Sequence, residues 1–127
     1  MIIKRYVLAL VVLILILVAH IFAMFNGWYY IQYFDVGMHI AGGFGIALLC
    51  IAIMGRRTKN MSNKVLFRNI ILGTMLFGLL WEIFEIVEDV SGFPLWSNPY
   101  IIDTLKDLVN DFIGGTIAHF VFLKIKK

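Results

Sequence analysis

Charge is scarce in this chain. Only 15% of its 127 residues are Asp, Glu, Lys or Arg, against roughly 25% in an average soluble domain. That scarcity excludes the usual water-facing globular surface. Cysteine occurs once, at Cys50, so an internal disulfide framework is excluded as well. Proline occurs twice, at Pro94 and Pro99, and both fall in one connection. No catalytic signature of the H-E-x-x-H kind is present, and no flexible linker or low-complexity tail. What fills the chain is apolar: 61% of residues are hydrophobic, and the mean hydropathy is +0.91.

Four stretches approach the roughly 20 apolar residues that a membrane helix needs. They run over about residues 6–25, 36–54, 69–87 and 105–123 of one membrane domain covering residues 1–127. The expected fold is all-α, a four-helix transmembrane bundle. The first stretch follows Lys4 and Arg5, but it is too long for a cleaved leader and Ile21 stands where a cleavage site wants a small residue. It reads as a retained span. Ten of the eleven basic residues lie before stretch one, between stretches two and three, or after stretch four. All eight acids lie at or near the opposite helix ends, beside the one exception, Lys106. Positive charge stays in the cytoplasm, so both termini are expected there and the acids at the outer face. Trp28, Tyr29, Tyr30 and Tyr33 suit the headgroup layer between stretches one and two.

The acids are not scattered. A helix turns about 100° per residue, so groups three and four apart share a face. Asp35, His39 and Gly42 form one stripe. Glu82, Glu85 and Asp89 form a second, with Glu88 at its edge. Asp103, Asp107, Asn110, Asp111 and Gly114 form a third. A carboxylate inside hydrocarbon costs about 2.5–3.5 kcal/mol even on a lenient scale. The stripes are therefore expected to turn inward around one polar pocket, with His20 completing the ring. Glu82 and Glu85 carry the strongest signal, because two buried carboxylates one turn apart cannot both ionise freely, which suits acid–base work. Catalytic or metal-ligating roles are expected for Glu82, Glu85, His39 and Asp107. Binding roles fall to Asp35, Asn110, Asp111, Asp103 and His20. Asp103 also suits the cap of the last helix, Glu88 and Asp89 suit solvated helix-end charges, and His119 suits simple packing. Gly37, Ala41 and Gly45, and likewise Gly114 and Ala118, have the spacing that lets membrane helices approach.

The ordered elements D-V-G-M-H at 35–39, W-E-I-F-E at 81–85 and D-T-L-K-D-L-V-N-D-F-I-G at 103–114 resemble the VanZ-like membrane proteins and the related YjdF-like family. VanZ-like proteins have a Glu-x2-Gln-type element where this chain has Glu82 and Glu85, so the likeness is closer to the YjdF-like branch. The resemblance implies a polytopic helical membrane protein, and one VanZ-like member's link to teicoplanin resistance points to the cell envelope. Oxygen ligands beside a histidine suit a divalent metal of undetermined identity. Such a metal would support hydrolysis or transfer on a lipid-linked envelope substrate in a bacterial or archaeal plasma membrane. A proton- or cation-coupled transporter and a non-enzymatic binding protein are the alternatives. Membrane lipid is the expected partner, with no nucleic acid.

Overall fold

A computed structural model of the chain describes residues 2–31, 33–87 and 92–126. It holds four long helices: α1 (Ile2–Asn26), α2 (Phe34–Met54), α3 (Asn63–Val87) and α4 (Asn98–Lys126). Each is long and apolar enough to cross a membrane. In hydrocarbon every backbone amide must bond within its own segment, and an uninterrupted apolar run has no alternative to the helix. The helices end where the backbone can turn. Gly27 adopts φ +67° after α1, and Gly55 adopts φ +53° after α2, conformations that glycine reaches without a Cβ penalty. Short 3-10 turns follow at Trp28–Tyr30 and Gly55–Lys59. Ser62 and Ser97 begin α3 and α4, each with its hydroxyl 3.4 Å from the amide of the residue three positions on.

The start of α4 corrects one expectation. Ser97, Asn98 and Pro99 start the helix seven residues ahead of the apolar stretch, because a serine cap and a first-turn proline are themselves a start signal. Asp103 is thus interior to α4 and caps nothing.

Helix α2 is the centre of the bundle. It packs against α1, α3 and most extensively α4, whereas α1 has no extensive contact with α3 or α4. The α2–α4 approach rests on glycine. A Cβ on Gly43 would collide with the backbone of Asp111, and one on Gly114 would collide with the backbone of Ile40 and Phe44. Gly45 lies under Leu13, Ile16 and Val12 of α1, while Gly37 has nothing within 4 Å. The small-residue spacing thus found Gly45 and Gly114 but not Gly43, the glycine that meets α4 from the α2 side. Ala47, Ile51, Leu66, Ile70, Ala118 and Phe122 form the apolar core in the half of the bundle that holds the termini. At that end Arg5 donates to the Gly55 carbonyl at 3.3 Å and lies over the Phe122 ring at 5.0 Å. The remaining large apolar side chains of α1, among them Ile14 and Leu15, point outward as a lipid-facing surface must.

Candidate functional site

His39 is the hub of a buried polar cluster at the opposite end of the bundle from Arg5. It projects from α2 one turn before Gly43, so the close α2–α4 crossing carries it against α4. Asp107 and Asp111, also one turn apart, meet it there. His39 Nε2 stands 3.7 Å from Asp35 Oδ1 and 3.7 Å from Asp107 Oδ2, and Nδ1 stands 3.4 Å from Asp111 Oδ1. His39, Asp107 and Asp111 are buried. The other oxygens of Asp35 and Asp107 turn toward Lys106, at 3.5 and 3.6 Å, and Lys106 also pairs with Asp103. One ammonium therefore faces Asp35, Asp103 and Asp107 from the rim, while Asp111 is left to His39. The cluster remains net negative.

Helix α3 adds a second layer. Thr104 of α4 donates to Glu82 Oε2 at 2.7 Å, tying the two helices together, and Trp81 Nε1 donates to Glu85 Oε1 at 2.8 Å. His20 of α1 pairs with the Tyr29 hydroxyl through Nδ1 and lies edge-on to Trp81 with ring centres 5.0 Å apart. This contact joins α1 to α3 across the head of the cluster. Burial first, then the negative charges of Asp35 and Glu85, push the Tyr29 phenol up to about 12. Among the described residues of the cluster, Glu82 Oε1 and Asn110 Nδ2 are buried without a hydrogen-bond partner, and Asp107 Oδ1 has only the Lys106 ammonium at 3.6 Å. Such atoms are costly in a dry interior, and carboxylate oxygens in that state are ready to accept a cation or a proton. Glu88 and Asp89 lie outside the described residues.

The structure thus gathers Asp35, His39, Asp107 and Asp111 tightly, with Asp103 reached through Lys106. It sets Glu82 and Glu85 on other partners. The ligand atoms of Asp35, His39 and Asp107 all lie within 4.8 Å of one another, the one such group among the described residues. Metal bonds of about 2.0–2.2 Å to nitrogen and oxygen put neighbouring ligand atoms roughly 3–4 Å apart, so the 3.7 Å separations fit a metal on His39 Nε2. Asp111 at Nδ1 is then placed as the carboxylate that orients a ligating histidine. Lys106 would compete with such an ion, since it already faces the Asp35 and Asp107 carboxylates.

Beside the cluster lies a cavity of about 190 Å³ between α1 and α3, floored by α2. His20, Tyr29, Asp35, His39 and Asp111 form its polar rim, while Leu13, Ile16, Ile46 and Phe77 line the part nearer the middle of the bundle. The stripe argument found the acids and His39. It missed Tyr29, Thr104 and Lys106 as members of the network. Of these, only Lys106 gave a signal, as the one basic residue away from its kind.

Four lipid-length helices around a buried carboxylate–histidine cluster define a polytopic membrane protein with a polar centre. The chain belongs to the family described as predicted membrane protein (DUF2238), whose model matches residues 3–127. No curated protein and no solved structure matches it.

Proposed function

We propose that the protein binds a divalent cation at Asp35, His39 and Asp107 and uses it for hydrolysis or transfer on the head of a lipid-linked cell-envelope substrate. The observation that carries this reading is the convergence within 4.8 Å of three ligand atoms from two helices, those of His39 and Asp107 buried and that of Asp35 half-buried. The positive-inside pattern orients the site to the outer face, and the likeness to VanZ-like and YjdF-like proteins supports an envelope role. A bound cation would offset the surplus negative charge and polarise a phosphoryl or acyl oxygen. Glu82 and Glu85, one layer away, are the groups available to move protons. The test is metal analysis of protein purified without chelator, followed by titration with zinc, manganese, magnesium and calcium. Wild type is expected to hold about one ion per chain in a pH-dependent manner. His39→Ala and Asp107→Asn are expected to lose it. Equal metal content in all three proteins overturns the reading.

A proton path is the second reading, and a specific observation favours it. Thr74 Oγ1, Thr116 Oγ1 and His119 Nδ1 are buried without partners at the α3–α4 contact and beyond, toward the other end of the bundle. Proton flux into vesicles under an imposed pH gradient, abolished by Asp111→Asn and His119→Phe, would select this reading over the enzyme.

A further inference from the structure

We infer that the cavity between α1 and α3 is a binding cleft for one hydrocarbon chain of a membrane amphiphile, whose polar head stops at His39 and Asp111. The identity of the head rests on the cation reading above, but the chain does not.

The cleft is graded along its length. From Asp35 to Ile46 along α2 it spans eleven residues, roughly 16 Å at about 1.5 Å per residue. That is close to half the roughly 30 Å hydrocarbon core, the depth of one leaflet. His20, Tyr29, Asp35 and His39 gather at one end, while Leu13, Ile16 and Ile46 line the other with Thr74 as the polar side chain among them, a predominantly apolar depth below a polar head that suits a lipid better than a soluble ligand.

The cleft also opens sideways. Helix α1 rests on α2 and makes no extensive contact with α3. Leu17 and Phe77 line the cavity yet remain 52% and 43% exposed, so they form lips toward the lipid. The head of the cleft is bridged by Tyr29, His20 and Trp81. Entry is therefore lateral, from the bilayer, and the occupant comes from the phase that surrounds the opening.

Gly42 supplies an independent observation. Glycine in a helix interior is unfavourable relative to alanine, and helix glycines here mostly repay that by close packing, as Gly43, Gly78 and Gly114 do. Gly42 lines the cavity, and a Cβ there would meet nothing within 4 Å. No protein atom requires its smallness. The space it leaves belongs to whatever fills the cleft.

The test uses a phospholipid with a photoreactive diazirine in one acyl chain, incorporated with the full-length protein into vesicles. Illumination is expected to label Leu13, Ile16, Leu17, Gly42, Ile46 and Phe77 in wild type. Gly42→Leu, whose Cβ meets nothing within 4 Å and whose branched end extends into the open space, is expected to reduce that labelling at least tenfold while leaving the adducts on lipid-facing Ile14 and Leu76 unchanged. Gly42→Val is the smaller plug, to be read if the leucine variant does not fold. Cleft labelling in a correctly folded plugged variant equal to wild type overturns the inference. So does wild-type labelling of Gly42 and Phe77 no stronger than that of Ile14. His39→Ala and chelator-treated wild type separate the two readings. Cleft labelling that survives loss of the metal keeps the chain site, and metal binding that survives the plug keeps the cation site.

Discussion

At His39 each ring nitrogen faces carboxylate, and this doubling decides what the residue can do. A histidine satisfied as a core group needs one acceptor and one neutral neighbour. Here Asp111 takes one nitrogen while Asp35 and Asp107 share the other. If a metal occupies the shared side, Asp111→Asn is expected to weaken its binding about 10–100-fold, the usual consequence of losing a carboxylate behind a ligating histidine; isothermal titration with zinc measures it. Lys106 gives the complementary prediction. Its ammonium turns to the far oxygens of Asp35 and Asp107, so it offsets part of their charge and would repel a divalent cation. Lys106→Met is expected to lower the thermal midpoint in chelator and to raise divalent affinity about tenfold, or about 1.4 kcal/mol. A fall at both readings would show the cluster to be only an ion-pair network. Tyr29 reports on the same charges from outside the membrane-spanning helices. Its neutral phenol is favoured by burial and by Asp35 and Glu85, so it should ionise near pH 12 instead of 10. Glu85→Gln removes one negative neighbour and should move the titration back down. The tyrosinate absorbance of each protein minus that of its Tyr29→Phe partner checks the direction.

At the scale of the helix, two adjacent glycines are expected to respond with opposite signs. Gly43→Ala forces a methyl into the backbone of Asp111, an overpacking that costs about 1–3 kcal/mol and moves His39 away from Asp107 and Asp111. Gly42→Ala meets no protein atom and should stabilise the helix by about 0.5–1 kcal/mol through lost backbone freedom. Unfolding of the purified proteins in one detergent compares the two directly. The pair also shows how far the sequence could be read. Periodicity brought out the four apolar helices, the inward stripes and the carboxylates beside His39, because those follow from spacing along one helix and from the cost of charge in lipid. Which of several glycines sits at a crossing depends on the rotation of two helices against each other, and no single-helix pattern records that. The same limit hid Thr104 as the partner of Glu82, because a threonine twenty-two residues away in the chain becomes a neighbour only through the α3–α4 contact. Glu82 and Glu85 stand out on their own helix because they are two carboxylates three residues apart. Their spacing, like that of Trp81 one turn before Glu85, is legible on one helix, whereas the Thr104 partner of Glu82 is not.

Across the whole molecule, charge is sorted by end. Arg5 is fixed against the Gly55–Lys59 turn that carries Arg56, Arg57 and Lys59, while the carboxylates gather at the other end around His39. The Arg5–Gly55 contact sets α1 against α2, and the Thr104–Glu82 and Phe67–His119 contacts set α3 against α4, in opposite directions, so the start of α1, the end of α4 and the basic turn share one side. The membrane potential and the translocation machinery read that asymmetry. Cationic connections resist transfer, and the charge near each helix end decides the side. The basic end is therefore expected in the cytoplasm, which puts the His39 cluster and the head of the cleft at the outer face. The measurement needs a cysteine at each end in a Cys50→Ala background, since Cys50 is the sole native thiol. Asn60→Cys is placed in the basic connection. Leu95→Cys is placed in the opposite one, where the side chain is half exposed. A membrane-impermeant maleimide applied to intact cells should label position 95 and spare position 60 until the cells are opened. The reverse pattern would put the carboxylates at the cytoplasmic face. The cluster could then still hold a cation, but its substrate would have to come from the inner leaflet, and the envelope role would fall while the convergence of Asp35, His39 and Asp107 stood unchanged.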